Sequence, residues 1–73
     1  MDSMTKELVG IAAAVAGHCR KCFDYHYNEV GKLGVPKEDI AEAIELAKAI
    51  RQAGANSMDE FVAHKQARTT DKK

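Results

Sequence analysis

The stretch VPKEDIAEAIELAKAIRQAG, residues 35–54, decides the fold. Pro36 suits the first turn of a helix, where a missing N–H costs nothing and the ring already holds a helical φ. Behind it, Ile40, Ala43, Ile44, Ala47 and Ile50 recur at the three- and four-residue spacing of one helical face, and Leu46, Ala49 and Ala53 occupy another. The pattern predicts a helix over about 37–53, with Gly54 as its stop. A helix that is apolar on two sides is buried on two sides. In a chain of 73 residues the second side is expected to meet another subunit.

Working outward, the same periodicity predicts a first helix over about 4–16, with Ser3 as N-cap and Leu8, Ile11, Ala12 and Val15 as its buried stripe. Glu7 lies one turn before Ile11, near the edge of that stripe, and Gly17 reads as the break. A second helix is expected from 18 or 19 to 32 or 33, with Phe23, Tyr27 and Val30 facing inward and Gly34 as its stop. Ser57 and Glu60 have the spacing of a capping box, which predicts a short fourth helix over about 58–66 bearing Met58, Phe61 and Val62 on one face. No alternating run of β-branched residues suggests a strand. The expectation is an all-α, single-domain chain, residues 1–73, with about four helices, a core over 4–66 and a flexible tail over 67–73.

Eleven basic and eleven acidic residues cancel, so no strong field draws the chain to nucleic acid or to an anionic membrane. Residues 8–17 are apolar but too short to span a bilayer, and Asp2, Lys6 and Glu7 before them sum to minus one, where a secretory signal wants a positive leader. A cytoplasmic location is expected. Thiols there are kept reduced, so two cysteines at CxxC spacing point to catalysis or metal binding rather than to a structural staple.

Those cysteines sit in His18-Cys19-Arg20-Lys21-Cys22-Phe23-Asp24-Tyr25-His26. On a helix, positions 19, 22 and 26 share a face. A thiolate is the reactive form of cysteine; helix N-terminal amides and the cations Arg20 and Lys21 favour it. An imidazole one turn on can take a proton or hold a water that does. A second cysteine one turn away can trap an oxidised first one as a disulfide. Glu7 would complete the set if the first helix folds back on the second, because a carboxylate orients an imidazole and raises its basicity.

Other chemistries compete for the same residues. His18, Cys19, Cys22 and His26 offer two imidazoles and two thiolates, a possible zinc set, although two pairs on one helix rarely close a tetrahedron. The thiols could also be inert and buried. A c-type haem would need His at position 23, where Phe23 stands, and an iron–sulfur cluster would need four ligands and so two chains. Tyr25 and Tyr27 read as packing residues, His18 as a helix-start residue and His64 as a surface residue.

Glu7, eleven residues, Cys19-x-x-Cys22, three residues and His26 resemble the signature of alkylhydroperoxidase D-like proteins of the carboxymuconolactone decarboxylase superfamily. The alanine run 12–16 and the stretch 34–43, which is similar to that family's helix start, agree, so the resemblance covers residues 7–54. It implies an all-α fold assembled as homo-oligomers, commonly trimers or hexamers. It implies Cys22 as the thiol that attacks a peroxide, Cys19 as the resolving thiol, and Glu7 with His26 as a proton relay. Helix N-terminal position alone would instead favour Cys19 as the more acidic thiol. Lys21 stands where peroxidase members often carry a His, and the chain is shorter than theirs, which leaves room for a general dithiol–disulfide reductase. The parent decarboxylases lack the cysteine pair, so lactone decarboxylation is not expected.

The function expected is a thiol-dependent peroxidase that acts on organic hydroperoxides, with Cys22, Cys19, His26 and Glu7 as its working residues, no cofactor and no metal. Its partners would be a hydroperoxide or disulfide substrate, a thiol or thioredoxin-like reductant, and other copies of the chain. The alternatives are a disulfide reductase and a metal-binding or structural oligomerisation module.

Overall fold

The computed structural model describes the backbone of residues 1–71 and the side chains of residues 1–69. It contains three helices: α1 (Ser3–Ala16), α2 (Arg20–Leu33) and α3 (Lys37–Asp71). α1 packs against both of the others.

Asp2, not Ser3, caps α1. Its carboxylate accepts the Thr5 backbone N–H at 2.8 Å and the Thr5 hydroxyl at 3.2 Å, and the backbone bond holds its pKa below the usual carboxylate value. A charged acceptor answers the unpaired amides and the positive helix end better than a hydroxyl, which moves the start forward by one residue. The α1–α2 reversal also differs in detail from expectation. Gly17 keeps a negative φ, and His18 takes the left-handed conformation at φ 59°. The His18 N–H points back to the Val15 carbonyl, and the Cys19 N–H to the Ala14 carbonyl at 2.9 Å. This is a Schellman-type close with a histidine where glycine is usual. The end of α2 repeats it with Gly34 at φ 71° and Val35 N–H bonded to the Val30 carbonyl at 3.1 Å.

That second close brings Val30 and Val35 together, and with Ile11 they form the buried cluster, flanked by Leu8, Phe23, Ile40 and Ile44. Ala14 and Ala47 are the other buried apolar residues; their small side chains suit a close α1–α3 approach. Tyr27, assigned inward from spacing, is half exposed and stacks on Phe23 with ring centroids 5.3 Å apart.

The fourth helix does not exist as a separate element. α3 continues through Gly54 and Ser57 to Asp71, so residues 67–71 of the expected tail are helical; Lys72 and Lys73 lie outside the described residues. A mid-helix glycine costs only about 1 kcal/mol relative to alanine, and a Gln52–Asn56 side-chain bond at 3.0 Å spans the weak point. A capping box needs a non-helical residue at the cap, and Ser57 stays helical and exposed within α3. The result is a long molecule, 61 × 21 × 19 Å, with a radius of gyration of 17.6 Å, against about 11 Å for a compact chain of this length. Described side chains from Lys48 onward are exposed, including Ile50, so the inward stripe assigned to 40–50 ends at Ala47.

Ile11 is fully buried whereas Val9, on the same helix, is half exposed. Ile11→Ala is expected to destabilise by about 2–4 kcal/mol, and Val9→Ala by no more than about 0.5 kcal/mol, in urea unfolding at fixed protein concentration.

Candidate functional site

Folding α2 back along α1 brings Glu7 and His26, nineteen residues apart in the chain, into contact: His26 Nδ1 lies 2.6 Å from Glu7 Oε1. The pair is partly sheltered, with 27% of the His26 side chain and 15% of the Glu7 side chain exposed. With Glu7 ionised, the Nδ1–H donates to the carboxylate and Nε2 keeps a free lone pair, the form an imidazole needs to accept a proton.

Room for the ring comes from Gly10, one turn after Glu7. A Cβ at position 10 would stand 2.6 Å from His26 ring atoms, including Nδ1. Sequence reasoning passed over this residue. Its signal was a glycine inside an otherwise alanine-rich apolar helix, where it weakens the helix unless something needs the space.

The two cysteines occupy the start of α2. Cys19 is the N-cap: its Sγ accepts the Cys22 backbone N–H at 3.2 Å, and its carbonyl accepts the Phe23 N–H at 3.0 Å. Cys19 and Cys22 are joined as a disulfide, with their Cα atoms 5.3 Å apart. Cys22 is exposed and Cys19 half-buried. His26 follows Cys22 by one helical turn, so α2 carries the cysteine pair and the imidazole on neighbouring turns, and α1 supplies Glu7.

The remaining expected residues sort plainly. Tyr25 is exposed and meets the His26 ring edge-on at 5.1 Å, while His64 is an exposed residue of α3. His18 is exposed in the left-handed turn. Among the described residues no three His, Cys, Asp or Glu side chains gather as a metal-holding group, with Cys19 and Cys22 joined as a disulfide. Also among the described residues, no helix is long and apolar enough to cross a membrane. A cleft of about 560 Å³ opens beside Cys19, where Arg51 of α3 reaches over to donate to the Val15 carbonyl at 3.1 Å. Arg51 was also passed over; it lies 32 residues from Cys19, and only packing brings α3 alongside.

Gly10→Ala is expected to push the imidazole off Glu7. The His26 ring ¹⁵N shifts, read by NMR, would change as they do in Glu7→Gln, with a loss of about 1–3 kcal/mol in stability from overpacking. Unchanged ring shifts in Gly10→Ala would mean that the close approach does not hold the ring.

The model of the carboxymuconolactone decarboxylase family matches residues 1–59. No curated protein and no solved structure matches the chain. The matched segment contains α1, α2, both cysteines, Glu7, His26 and the packed half of α3. The chain therefore belongs to the carboxymuconolactone decarboxylase family, the superfamily to which its alkylhydroperoxidase D-like spacing pointed.

Proposed function

We propose that this protein is a cytoplasmic thiol-dependent peroxidase that reduces organic hydroperoxides through Cys22 and Cys19. The observation that carries the proposal is the 2.6 Å Glu7–His26 contact one turn from a cysteine pair close enough to bridge. A redox-inert pair would have no need of an oriented imidazole beside it.

The steps follow from the placement. In the reduced protein, His26, oriented by Glu7 through Nδ1, takes the Cys22 proton on Nε2 directly or through a water. The Cys22 thiolate attacks the terminal oxygen of the hydroperoxide; the O–O bond breaks, the alkoxide collects a proton from the His26 imidazolium, and Cys22 is left as a sulfenic acid. Cys19 attacks that sulfur, the S–O bond breaks, and water leaves as the disulfide forms. Two electrons from an external dithiol or thioredoxin-like donor restore the thiols. The greater exposure of Cys22 favours it as the residue that meets peroxide.

The same proposal includes assembly as a homo-oligomer. Met58, Phe61 and Val62 stand 18 residues, five helical turns, after Ile40, Ala43 and Ile44. They therefore continue the face of α3 that faces the core nearer its start, yet Met58 and Phe61 are more than half exposed. A second copy is the occupant favoured, because the face is continuous with one that already packs in this chain. The chain also has zero formal net charge, so copies do not repel each other strongly.

Two experiments test the reading. Metal-free, reduced protein treated with about one equivalent of organic hydroperoxide is expected to lose both thiols and about two hydrogens of mass per chain. Cys22→Ser is expected to abolish turnover, and Cys19→Ser to stop recycling while leaving a sulfenic acid at Cys22 that dimedone traps. Full activity in Cys22→Ser would overturn the assignment. In light scattering after gel filtration, the native chain is expected to run above its 8.0 kDa monomer mass and Phe61→Glu to shift towards it. A native monomer with α3 helical would refute the assembly.

A further inference from the structure

The cleft of about 560 Å³ beside the cysteine pair is lined by Cys19 and not by Cys22 or the Glu7–His26 pair. Ala14, Val15 and Phe23 give it an apolar wall. Two arginines, Arg20 and Arg51, line it from different helices. Among the described residues neither is in a salt bridge, Arg51 donates to the Val15 carbonyl and Arg20 makes no side-chain hydrogen bond. Asp24 is the one carboxylate in the lining, against the two arginines. The cleft thus holds a surplus of at least one positive charge next to Cys19 Sγ.

We infer that this cleft binds the small thiol that recycles the protein, and that this thiol is a carboxylate-bearing one with an apolar body. The inference rests on the reading of Cys19–Cys22 as a redox pair. Arg20 and Arg51 hold the carboxylate, since a guanidinium fork matches carboxylate geometry. The apolar body lies against Phe23 and Val15, and the sulfur is delivered to Cys19. The substrate thiolate attacks Cys19 Sγ, the Cys19–Cys22 bond breaks, and Cys22 leaves as a thiolate that takes up a proton. A second substrate thiolate then attacks the mixed disulfide, releasing Cys19 as a thiol and the substrate as its disulfide. Two thiols lose two electrons and two protons; the pair gains both. The two sulfurs then divide the work: peroxide is met on the Cys22 and His26 side, and reductant on the Cys19 and arginine side.

The test uses full-length protein whose disulfide has been formed beforehand with diamide, so it requires no peroxide activity. Its reduction is followed by intact mass with 3-mercaptopropionate and with the methyl ester of that thiol. Each rate is normalised to the same thiol acting on a free small-molecule disulfide. The acid is expected to be preferred on the order of tenfold at low salt. The preference is expected to fall towards one in 0.5 M salt, and in the Arg20→Gln/Arg51→Gln double variant. The salt series on native protein decides the matter should the double variant not fold. An acid-to-ester ratio near one in native protein, or a preference that survives both salt and substitution, overturns the inference. A protein that passes this test but ignores hydroperoxide would lose the peroxidase reading and keep the cleft.

Discussion

A helix reversal made in three residues, Gly17, His18 and Cys19, is the constraint on which the rest of this structure depends. It turns α2 back along α1 at a distance set by backbone hydrogen bonds, the Cys19 N–H reaching the Ala14 carbonyl. Because the return is that tight, the second turn of α2 arrives opposite the second and third turns of α1. His26 then meets Glu7 and Gly10, and nothing larger than glycine fits at position 10. The same turn leaves Cys19 at the N-cap, where its sulfur faces the amide of Cys22. A non-glycine residue pays for the left-handed step at His18. That local cost is offset by the packing of α2 on α1 and by the carbonyls that the turn satisfies.

The core that holds this reversal is small. One isoleucine and two valines are its buried centre, with Ala14 and Ala47 at the α1–α3 approach. Such a core supports the first two helices and the near half of the third. The far half of α3 is held by helix propensity and local side-chain bonds, and a single helix of that length is marginal in water without something to pack against. The exposed apolar face of that far half is continuous with the packed one. The Glu7–His26 contact and the Cys19–Cys22 bridge are both made within one chain.

Helical class, all three helix starts and the first two stops to within a residue or two were legible from periodicity, and spacing alone put Cys19, Cys22 and His26 on successive turns of one helix. These depend on local rules. Three- and four-residue recurrence marks a buried face, glycine and proline mark ends, and residues three, four and seven apart share one side of a helix. What was misread also had a local look. Gly54 and the Ser57–Glu60 pair have the right composition for a break, but composition only permits a break, and the helix continues when nothing packs so as to require one. Tyr27 and Ile50 fit the inward spacing of their helices and are nevertheless about half or more exposed; for Ile50 the reason is that α1 ends before it could cover the far part of α3.

The sequence by itself determined the chemistry of the site: which side chains can lose a proton, carry an oxidised sulfur or hold a negative charge, and that the two cysteines lie one turn apart. Only the tertiary structure decided that Glu7 touches His26, that Gly10 makes room for the ring, and that Arg51 comes to lie by a cleft beside Cys19. The physical reason is range. Spacing along one helix follows from 3.6 residues per turn, whereas contact between helices depends on how apolar faces pack and on one turn's backbone geometry. Neither has a sequence period from which it can be read.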